Sequence, residues 1–174
     1  MDEQDAIDEM FEDLVEGLRE MLPDFGERLA SDSKAISSVA NRPPEETAPD
    51  GRRDRDADFG RKEYRSTRED GSGWTKVIQW FGYKLHLLAD ATYELPVAWE
   101  VTKASTADIT RALPSLDHVQ TSHPELMAAA MVLTADRGYD ATGLLRETWD
   151  THGIKPVIDI RNMWKEALSC VGSR

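Results

Sequence analysis

Apolar and acidic side chains alternate along the first thirty residues with the period of an α-helix. Asp2 and Asp5 favour the start of such a helix, and Pro23 favours its end. The acids on the remaining faces indicate a solvated acidic surface on a helix that packs against the domain behind it. We therefore predict an acidic amphipathic helix within residues 1–26, with this apolar stripe: Ile7, Met10, Phe11, Leu14, Leu18 and Met21.

A different period follows in the middle of the chain, where side chains alternate with the period of a β-strand. Residues 77–88 place Lys84 and His86 on one face and five apolar side chains on the other, namely Val77, Phe81, Tyr83, Leu85 and Leu87. Residues 96–102 alternate in the same way after a turn. The two segments are predicted to form an antiparallel pair, and residues 28–33 resemble a further short strand.

The second half of the chain alternates helical segments with short apolar runs. Residues 105–108 (STAD) resemble a capping box that opens a helix through Leu116, in which Pro114 is expected to cause a kink or an early end. Pro124 is predicted to open another helix, and Asp140 to cap a third. The apolar runs 130–135 and 155–160 indicate buried strands. This order predicts an α/β fold with a mixed sheet flanked by helices.

The polar stretch at residues 41–73 holds three Pro and four Gly, with eight bases offset by nine acids. We predict a long loop here, which is either a solvated insertion or a segment that contacts phosphate. Residues 1–30 carry a net charge of −9 out of −12 for all 174 residues. Since the acidity is local, the charge of the whole chain does not exclude a nucleic-acid partner.

Several classes of protein can be excluded on composition. No apolar run approaches the roughly 20 residues that span a bilayer, and the acidic N-terminal segment is unlike a signal peptide, so we expect a cytoplasmic protein without membrane contact. The single Cys170 excludes a disulfide framework and a cysteine zinc site. There is no glycine-rich phosphate loop and no nucleophile elbow.

Two carboxylates at predicted strands remain as candidates for chemistry. Asp136 directly follows the apolar run, and ligands bind at the carboxyl ends of buried strands. Asp32 lies in the first short strand, where a charge is costly unless it is paired, hydrated or bound to metal. Together the two acids could hold a hard divalent cation such as Mg²⁺. The alternatives are a turn or cap residue for Asp136 and an ordinary edge residue for Asp32.

Four ordered segments of the chain resemble the DDE transposases of bacterial insertion sequences, whose catalytic domain has an RNase H-like fold. The first contains Asp32, the second resembles the Gly-Tyr-Lys-Leu-His strand of that family, and the last matches its Ala-Asp-Lys/Arg-Gly-Tyr-Asp motif with Asp136. They are residues 29–36 (LASDSKAI), 80–90 (WFGYKLHLLAD), 95–108 (LPVAWEVTKASTAD) and 134–140 (TADRGYD).

This resemblance implies DNA transposition by metal-dependent cleavage and strand transfer at the ends of an insertion sequence. Asp32 and Asp136 would be the catalytic and metal-binding acids, with Mg²⁺ or Mn²⁺ as the cofactor. The partners implied are DNA, both element ends and target, and a second copy or an intact transposase. The candidates for DNA contact, for which packing or solvation is an equal alternative, are Lys84, His86, Arg137 and Tyr139.

One expected feature of the family is missing, namely a third acid in a Tyr-Arg-Glu-Lys-like motif. Glu166 is the only positional substitute, and its surroundings do not match that motif. We therefore expect a truncated catalytic domain over residues 27–165 with a tail at 166–174. The alternative function is a catalytically inactive fragment that binds DNA or intact transposase and modulates it.

Overall fold

The structure, a computed structural model, describes residues 3–39, 56–68 and 70–160 of the chain. The described residues form four α-helices, one 3₁₀ turn and six strands. In chain order these are α1 (Glu3–Met21), β1 (Arg28–Ser37), β2 (Asp58–Thr67), β3 (Gly73–Asp90), β4 (Leu95–Lys103), α2 (Ile109–Ser122), α3 (Pro124–Ala129), β5 (Val132–Ala135), the 3₁₀ turn (Arg137–Tyr139), α4 (Thr142–Asp150) and β6 (Lys155–Ile158).

All six strands belong to one mixed sheet. Its order is β2-β3-β1-β5-β6, and β4 also pairs with β3. β3 is antiparallel to β1 and to β4, whereas β5 and β6 run parallel to β1. The α/β class and the antiparallel pairing of the two alternating segments are therefore confirmed. The parallel pairing brings the carboxyl ends of β5 and β6 to the same edge of the sheet.

The long strand β3 changes partners at Gly82. Its inner half, Tyr83–Asp90, lies between β1 and β4, and its outer half, Gly73–Gly82, pairs with β2 alone. We call β2 and this outer half the ribbon. Gly82 has φ of +150°, and a Cβ atom there would lie 2.2 Å from the carbonyl oxygen of Ile36. The close approach of the β1 backbone therefore requires glycine at this position.

The prediction of a loop over residues 41–73 is wrong for residues 58–67, which form β2. The ribbon is mostly exposed, so its strands need no apolar alternation, and the periodicity that reveals a half-buried strand is missing. Backbone pairing with β3 satisfies its N–H and C=O groups instead. Residues 40–55, the earlier part of the predicted loop, lie outside the described residues.

The main core lies between the sheet and the helices. It joins Leu29 of β1, Leu88 of β3 and Leu133 of β5 to side chains from α1, α2 and α3, such as Val15, Leu116 and Leu126. On β3, the face of Leu88 is the more deeply buried one, and His86 lies on it with 4% exposure. The predicted grouping of side chains on two faces is confirmed, and α2 covers the face that carries Lys84 and His86.

The acidic helix is confirmed, but its buried stripe is not the one predicted. Val15 is fully buried, and Phe11 and Leu18 pack partly against the core. The other members of the predicted stripe, namely Ile7, Met10, Leu14 and Met21, are exposed. The helix is thus rotated about its axis relative to the prediction. Its orientation is stabilised by the ion pair of Arg19 with Glu125, by the contact of the Glu12 carboxylate with the His123 imidazole, and by the edge contact of Phe11 with Trp99.

A buried carboxylate joins the turn after α1 to the turn after β3. Asp90 is fully buried and accepts hydrogen bonds from the backbone N–H groups of Gly26, Thr92 and Tyr93, at 2.8, 2.8 and 2.7 Å. The Tyr93 hydroxyl in turn donates to the carbonyl oxygen of Pro23 at 2.7 Å. These bonds satisfy a charge that would otherwise be costly to bury.

The remaining helices differ from the predictions mainly at their starts. α2 runs unbroken through Pro114, and Asp108 precedes it without a side-chain capping bond, so the predicted capping box is not formed. α4 begins after Ala141 without a cap from Asp140, whereas α3 does begin at Pro124. Of the helices in the described ranges, none combines the length and apolar character required to cross a bilayer.

Candidate active site

Asp32 lies at the point where β1 extends beyond its neighbour β5. The first residues of β1, Arg28 to Ser31, pair with β5, and the rest of the strand pairs with β3 alone. The Asp32 side chain is exposed, so hydration removes the cost of placing a charge in a strand. From Asp32 onward, the edge of β1 facing β5 carries no strand within the described part of the chain.

Asp136 directly follows β5 and lies next to Asp32 in the register of the sheet. Ser31 is opposite Ala135, so Asp32 and Asp136 are the next residues on two parallel strands. The backbone of Asp136 is still extended, with φ of −73° and ψ of 172°. Because adjacent strands lie about 4.8 Å apart, the two acids leave the sheet at neighbouring positions. The structure therefore brings together the two candidate acids, which are about 100 residues apart in sequence.

Local backbone amides orient both carboxylates. Oδ1 of Asp32 accepts from the N–H of Ser33, and Oδ1 of Asp136 accepts from the N–H of Gly138, each at 2.7 Å. Within the described ranges, no hydrogen bond or ion pair engages the second oxygen of either group. Mg²⁺ prefers such oxygen ligands and commonly uses one or two carboxylates together with substrate phosphates and waters. The donor set therefore fits a divalent cation that is shared with a phosphorylated substrate.

Tyr139 lies buried beneath the two acids. Its ring packs against Ala112 and Leu144. Burial raises the pKa of Tyr139 to about 12; Ser31 opposes this rise, and the carboxylates of Asp108, Asp32 and Asp136 add to it in smaller amounts. Tyr139 is therefore a neutral phenol at physiological pH.

Lys84 is engaged at the start of α2. Its ammonium group lies 2.9 Å from Oδ1 of Asp108 and donates to the carbonyl oxygen of Thr106 at 2.6 Å. Its side chain is only 13% exposed. The Asp108 carboxylate thus forms an ion pair with Lys84 where the sequence predicted a helix cap. In this geometry Lys84 links β3 to the start of α2.

His86 follows Lys84 on the same buried face of β3. Its Nε2 lies 2.8 Å from the Thr102 hydroxyl, and its Nδ1 lies 3.9 Å from Asp108. Burial lowers the pKa of His86 by more than the neighbouring Asp108 raises it. The imidazole is therefore held in the neutral form more strongly than a free histidine.

Arg137 is the most exposed of the four residues predicted to contact DNA. It lies in the 3₁₀ turn directly after Asp136, and its guanidinium group contacts Asp159 after β6 at 2.7 and 3.1 Å. This ion pair connects the carboxyl end of β5 to that of β6, at the end of the sheet where both acids lie. Exposed pairs of this kind are weak, at about 0–1 kcal/mol, so the group can exchange Asp159 for another anion.

A cavity of about 510 Å³ adjoins this edge. Its walls include Lys84 and Asp108 on one side, Gly138 of the 3₁₀ turn on another, and Phe59 and Arg61 of the ribbon. Ser105 is also in the wall, where it bonds through its N–H and its hydroxyl to Asp58 at the base of the ribbon. The cavity therefore lies between the ribbon and the 3₁₀ turn that follows Asp136.

Sequence reasoning missed two polar residues of the site. Ser31 and Asp108 both act on Tyr139, and only the fold brings them together. A charged residue before a predicted helix is typical of a cap, so the sequence did not indicate that Asp108 would lie near Tyr139. Glu166, the substitute for the third acid, lies outside the described residues. Among the residues that the structure describes, no group of three or more His, Cys, Asp or Glu side chains is arranged to hold a metal ion.

The sheet order, with three parallel strands, an antiparallel pair beside them and two acids at one edge, is that of an RNase H-like protein. A family model described as the transposase DDE domain matches residues 40–168. The chain belongs to this family, and membership supports a role in DNA transposition. The match includes Asp136 but begins after β1, so it does not include Asp32. The assignment of Asp32 as a site residue therefore depends on its register beside Asp136.

The comparisons with curated proteins and with solved structures gave no match.

Proposed function

We propose that this chain provides the catalytic acids for metal-dependent cleavage and strand transfer at the ends of an insertion sequence. The observation that carries this proposal is the register that sets Asp32 beside Asp136 at the carboxyl edge of β5. Both acids have an oxygen outside the local hydrogen bonds and available to a cation. The substrate is the DNA of the element ends and of the target.

Asp32 and Asp136 would hold the cation, and the N–H groups of Ser33 and Gly138 would keep the two carboxylates in a fixed orientation. A bound Mg²⁺ or Mn²⁺ ion supplies Lewis-acid stabilisation of charge at a phosphate. Adjacent carboxylates repel one another, which favours binding of a dication between them. The two carboxylates thus form a negatively charged site for a cation. A phosphate of the substrate would supply further oxygen ligands to that cation.

Tyr139, Lys84 and His86 would support this site as positioning residues. The neutral phenol of Tyr139 is buried against Ala112 and Leu144 and would restrain the 3₁₀ turn that follows Asp136. The Lys84–Asp108 ion pair offsets a third negative charge near the two acids. Arg137 is the group best placed to meet a DNA phosphate, because it is exposed beside Asp136.

The test is cleavage of duplex DNA that carries the element ends, in the presence of Mg²⁺ or Mn²⁺. Asp32→Asn and Asp136→Asn should each lower the rate at least about a hundredfold, since charge stabilisation by a bound metal contributes several kcal/mol. Asp150→Asn is the matched control, because Asp150 is an exposed acid at the end of α4. Cleavage that survives both site substitutions would contradict the assignment.

A second readout does not depend on turnover. Mn²⁺ should raise the thermal unfolding temperature of the unaltered chain and of Asp150→Asn, and it should raise that of Asp32→Asn and Asp136→Asn much less. Metal and DNA binding without cleavage would instead favour the alternative of a fragment that modulates an intact transposase.

A further inference from the structure

The helix α1 carries a row of apolar side chains that do not contribute to the core. They recur at intervals of three and four residues, so they lie along one face of the helix. Each is between 46% and 72% exposed, so no element in the described ranges of the chain covers this face. We call these side chains, together with the glycine that lies among them, the open stripe: Ile7, Met10, Leu14, Gly17 and Met21.

The spacing of the open stripe is that of a coiled-coil seam. Ile7, Leu14 and Met21 repeat every seven residues, and Met10 and Gly17 each follow one of them by three residues. The stripe extends for about 21 Å along α1. The face that α1 turns to the core lies about a quarter of a turn away around the helix. α1 therefore has two apolar faces, and the exposed one has the period with which a second helix packs.

Gly17 forms a recess in the open stripe. A Cβ atom at this position would meet nothing within 4 Å, and Leu14 and Met21 lie one turn away on either side. A large apolar side chain of a facing helix would fit this recess as a knob fits into a hole. Met10 and Met21 have unbranched, flexible side chains that adapt to the shape of a partner. The stripe thus has the relief that helix packing requires.

The domain behind α1 holds the open stripe in a fixed position. Val15 is fully buried, Phe11 makes an edge contact with Trp99, and Arg19 pairs with Glu125 at 3.1 Å. A preformed surface loses less conformational entropy on association than a flexible one. Contiguous apolar surface bordered by polar residues marks sites of protein–protein interaction. The open stripe has both properties.

Acidic side chains border the open stripe on the side away from the core. Asp13 and Glu20 lie next to it on the helix surface, and both are exposed. The one base of α1, Arg19, lies on a different face and is bound to Glu16 and Glu125. Two copies of the chain paired along this stripe would bring acids together, and like charges on the borders of a seam oppose pairing. A helix with lysine or arginine beside its apolar side chains fits instead.

We propose that the open stripe of α1 docks an amphipathic helix of a partner protein, whose own apolar stripe is bordered by lysine or arginine. Burial of the apolar side chains supplies most of the affinity. Asp13 and Glu20 contribute mainly to the rate of association and to the choice of partner. The proposal is independent of Asp32 and Asp136, because docking requires neither a metal nor DNA.

The experiment measures binding of a fluorescent synthetic peptide to the full chain by anisotropy, in EDTA. The peptide is a three-heptad amphipathic helix with Leu at its seam and Lys on both borders, and its twin carries Glu in place of each Lys. The Lys peptide should bind with a Kd at least about tenfold below that of the Glu twin. Ile7→Gln/Leu14→Gln should raise the Kd of the Lys peptide roughly tenfold to a hundredfold. Asp13→Asn/Glu20→Gln should raise it about twofold to tenfold and weaken its salt dependence.

Met131→Gln is the matched control, because Met131 is 52% exposed, as Leu14 is, and lies outside α1. Its Kd should equal that of the unaltered chain. Helix content and unfolding temperature should be unchanged in all variants, since the replaced side chains are exposed. The proposal is overturned if the Lys peptide does not bind, if the Glu twin binds equally well, if Ile7→Gln/Leu14→Gln keeps the original Kd, or if Met131→Gln loses as much.

Equilibrium sedimentation of the chain alone tests whether a second copy occupies the open stripe instead. The unaltered chain should show no dimer that depends on Ile7 and Leu14. A dimer that dissociates in Ile7→Gln/Leu14→Gln would assign the stripe to a second copy and would also overturn the proposal.

Discussion

The two halves of β3 show how one strand can be stabilised in two different ways. The inner half, Tyr83–Asp90, lies between two strands and beneath a helix, and Leu88 and Asp90 on it are almost completely buried. The outer half, Gly73–Gly82, pairs with β2 alone, and both Val77 and Ile78 are exposed. The inner half depends on burial and the outer half on backbone pairing, so substitutions in the two halves should have unequal consequences.

The largest difference is expected from truncating a side chain in each half. Leu88→Ala removes a side chain that is 1% exposed and should lower the free energy of unfolding by about 2–5 kcal/mol. Val77→Ala, at a position 44% exposed, should lower it by less than about 1 kcal/mol. Urea denaturation of both variants measures the difference. Equal losses would show that the ribbon belongs to the core.

An intermediate effect is expected at the junction between the halves. Gly82→Ala introduces a Cβ atom against the carbonyl oxygen of Ile36 in a backbone conformation that alanine rarely adopts, and should cost about 1–3 kcal/mol. Gly73→Ala is the control, because a Cβ atom there would meet nothing within 4 Å. Thermal unfolding of the two variants separates steric strain from a general effect of losing glycine. Equal stability of the two variants would contradict the close approach of β1 at Gly82.

The smallest effect is expected from the protonation of His86 in the inner half. Because burial lowers the pKa of His86, the unfolded chain takes up the proton more readily than the folded chain. The stability due to neutral His86 is thus present above the unfolded pKa of about 6.5 and is lost as the pH falls through the folded pKa. Unfolding free energies at pH 8 and pH 5 should differ less in His86→Gln than in the unaltered chain.

The control for this measurement is His118→Gln, since the His118 side chain is 53% exposed. It should keep most of the pH dependence of the unaltered chain. A His86→Gln profile as steep as that of the unaltered chain would contradict the role of burial at this position.

The parts of the fold that were predicted from sequence are those in which burial produces a regular pattern. The apolar run before Asp136 identified β5, and Pro124 identified the start of α3. Strand β2 was missed because it is mostly exposed and shows no alternation. On β3 the two faces were separated correctly, but the sequence did not show which one is deeply buried, because both faces carry large side chains and only the position of α2 decides between them.

The sequence identified the two acids of the candidate site but not their arrangement in space. Asp32 and Asp136 were singled out by strand position and by family resemblance, while their adjacency depends on the pairing of Ser31 with Ala135. A shift of one residue in that register would turn the two side chains to opposite faces of the sheet. The roles of Ser31 and Asp108 around Tyr139 depend equally on contacts between distant segments. A single sequence carries no signal for such contacts.

The buried bonds of Asp90 and Tyr93 have a consequence for how the protein meets a charged polymer. They anchor the turn after α1 to the sheet, and the pairing of Glu12 with His123 anchors the helix itself to its neighbours. Most of the negative charge of the chain is therefore fixed over one side of the molecule rather than carried on a loose tail. A rigidly placed negative field of this kind would repel a polyanion such as DNA from the helical side at low salt.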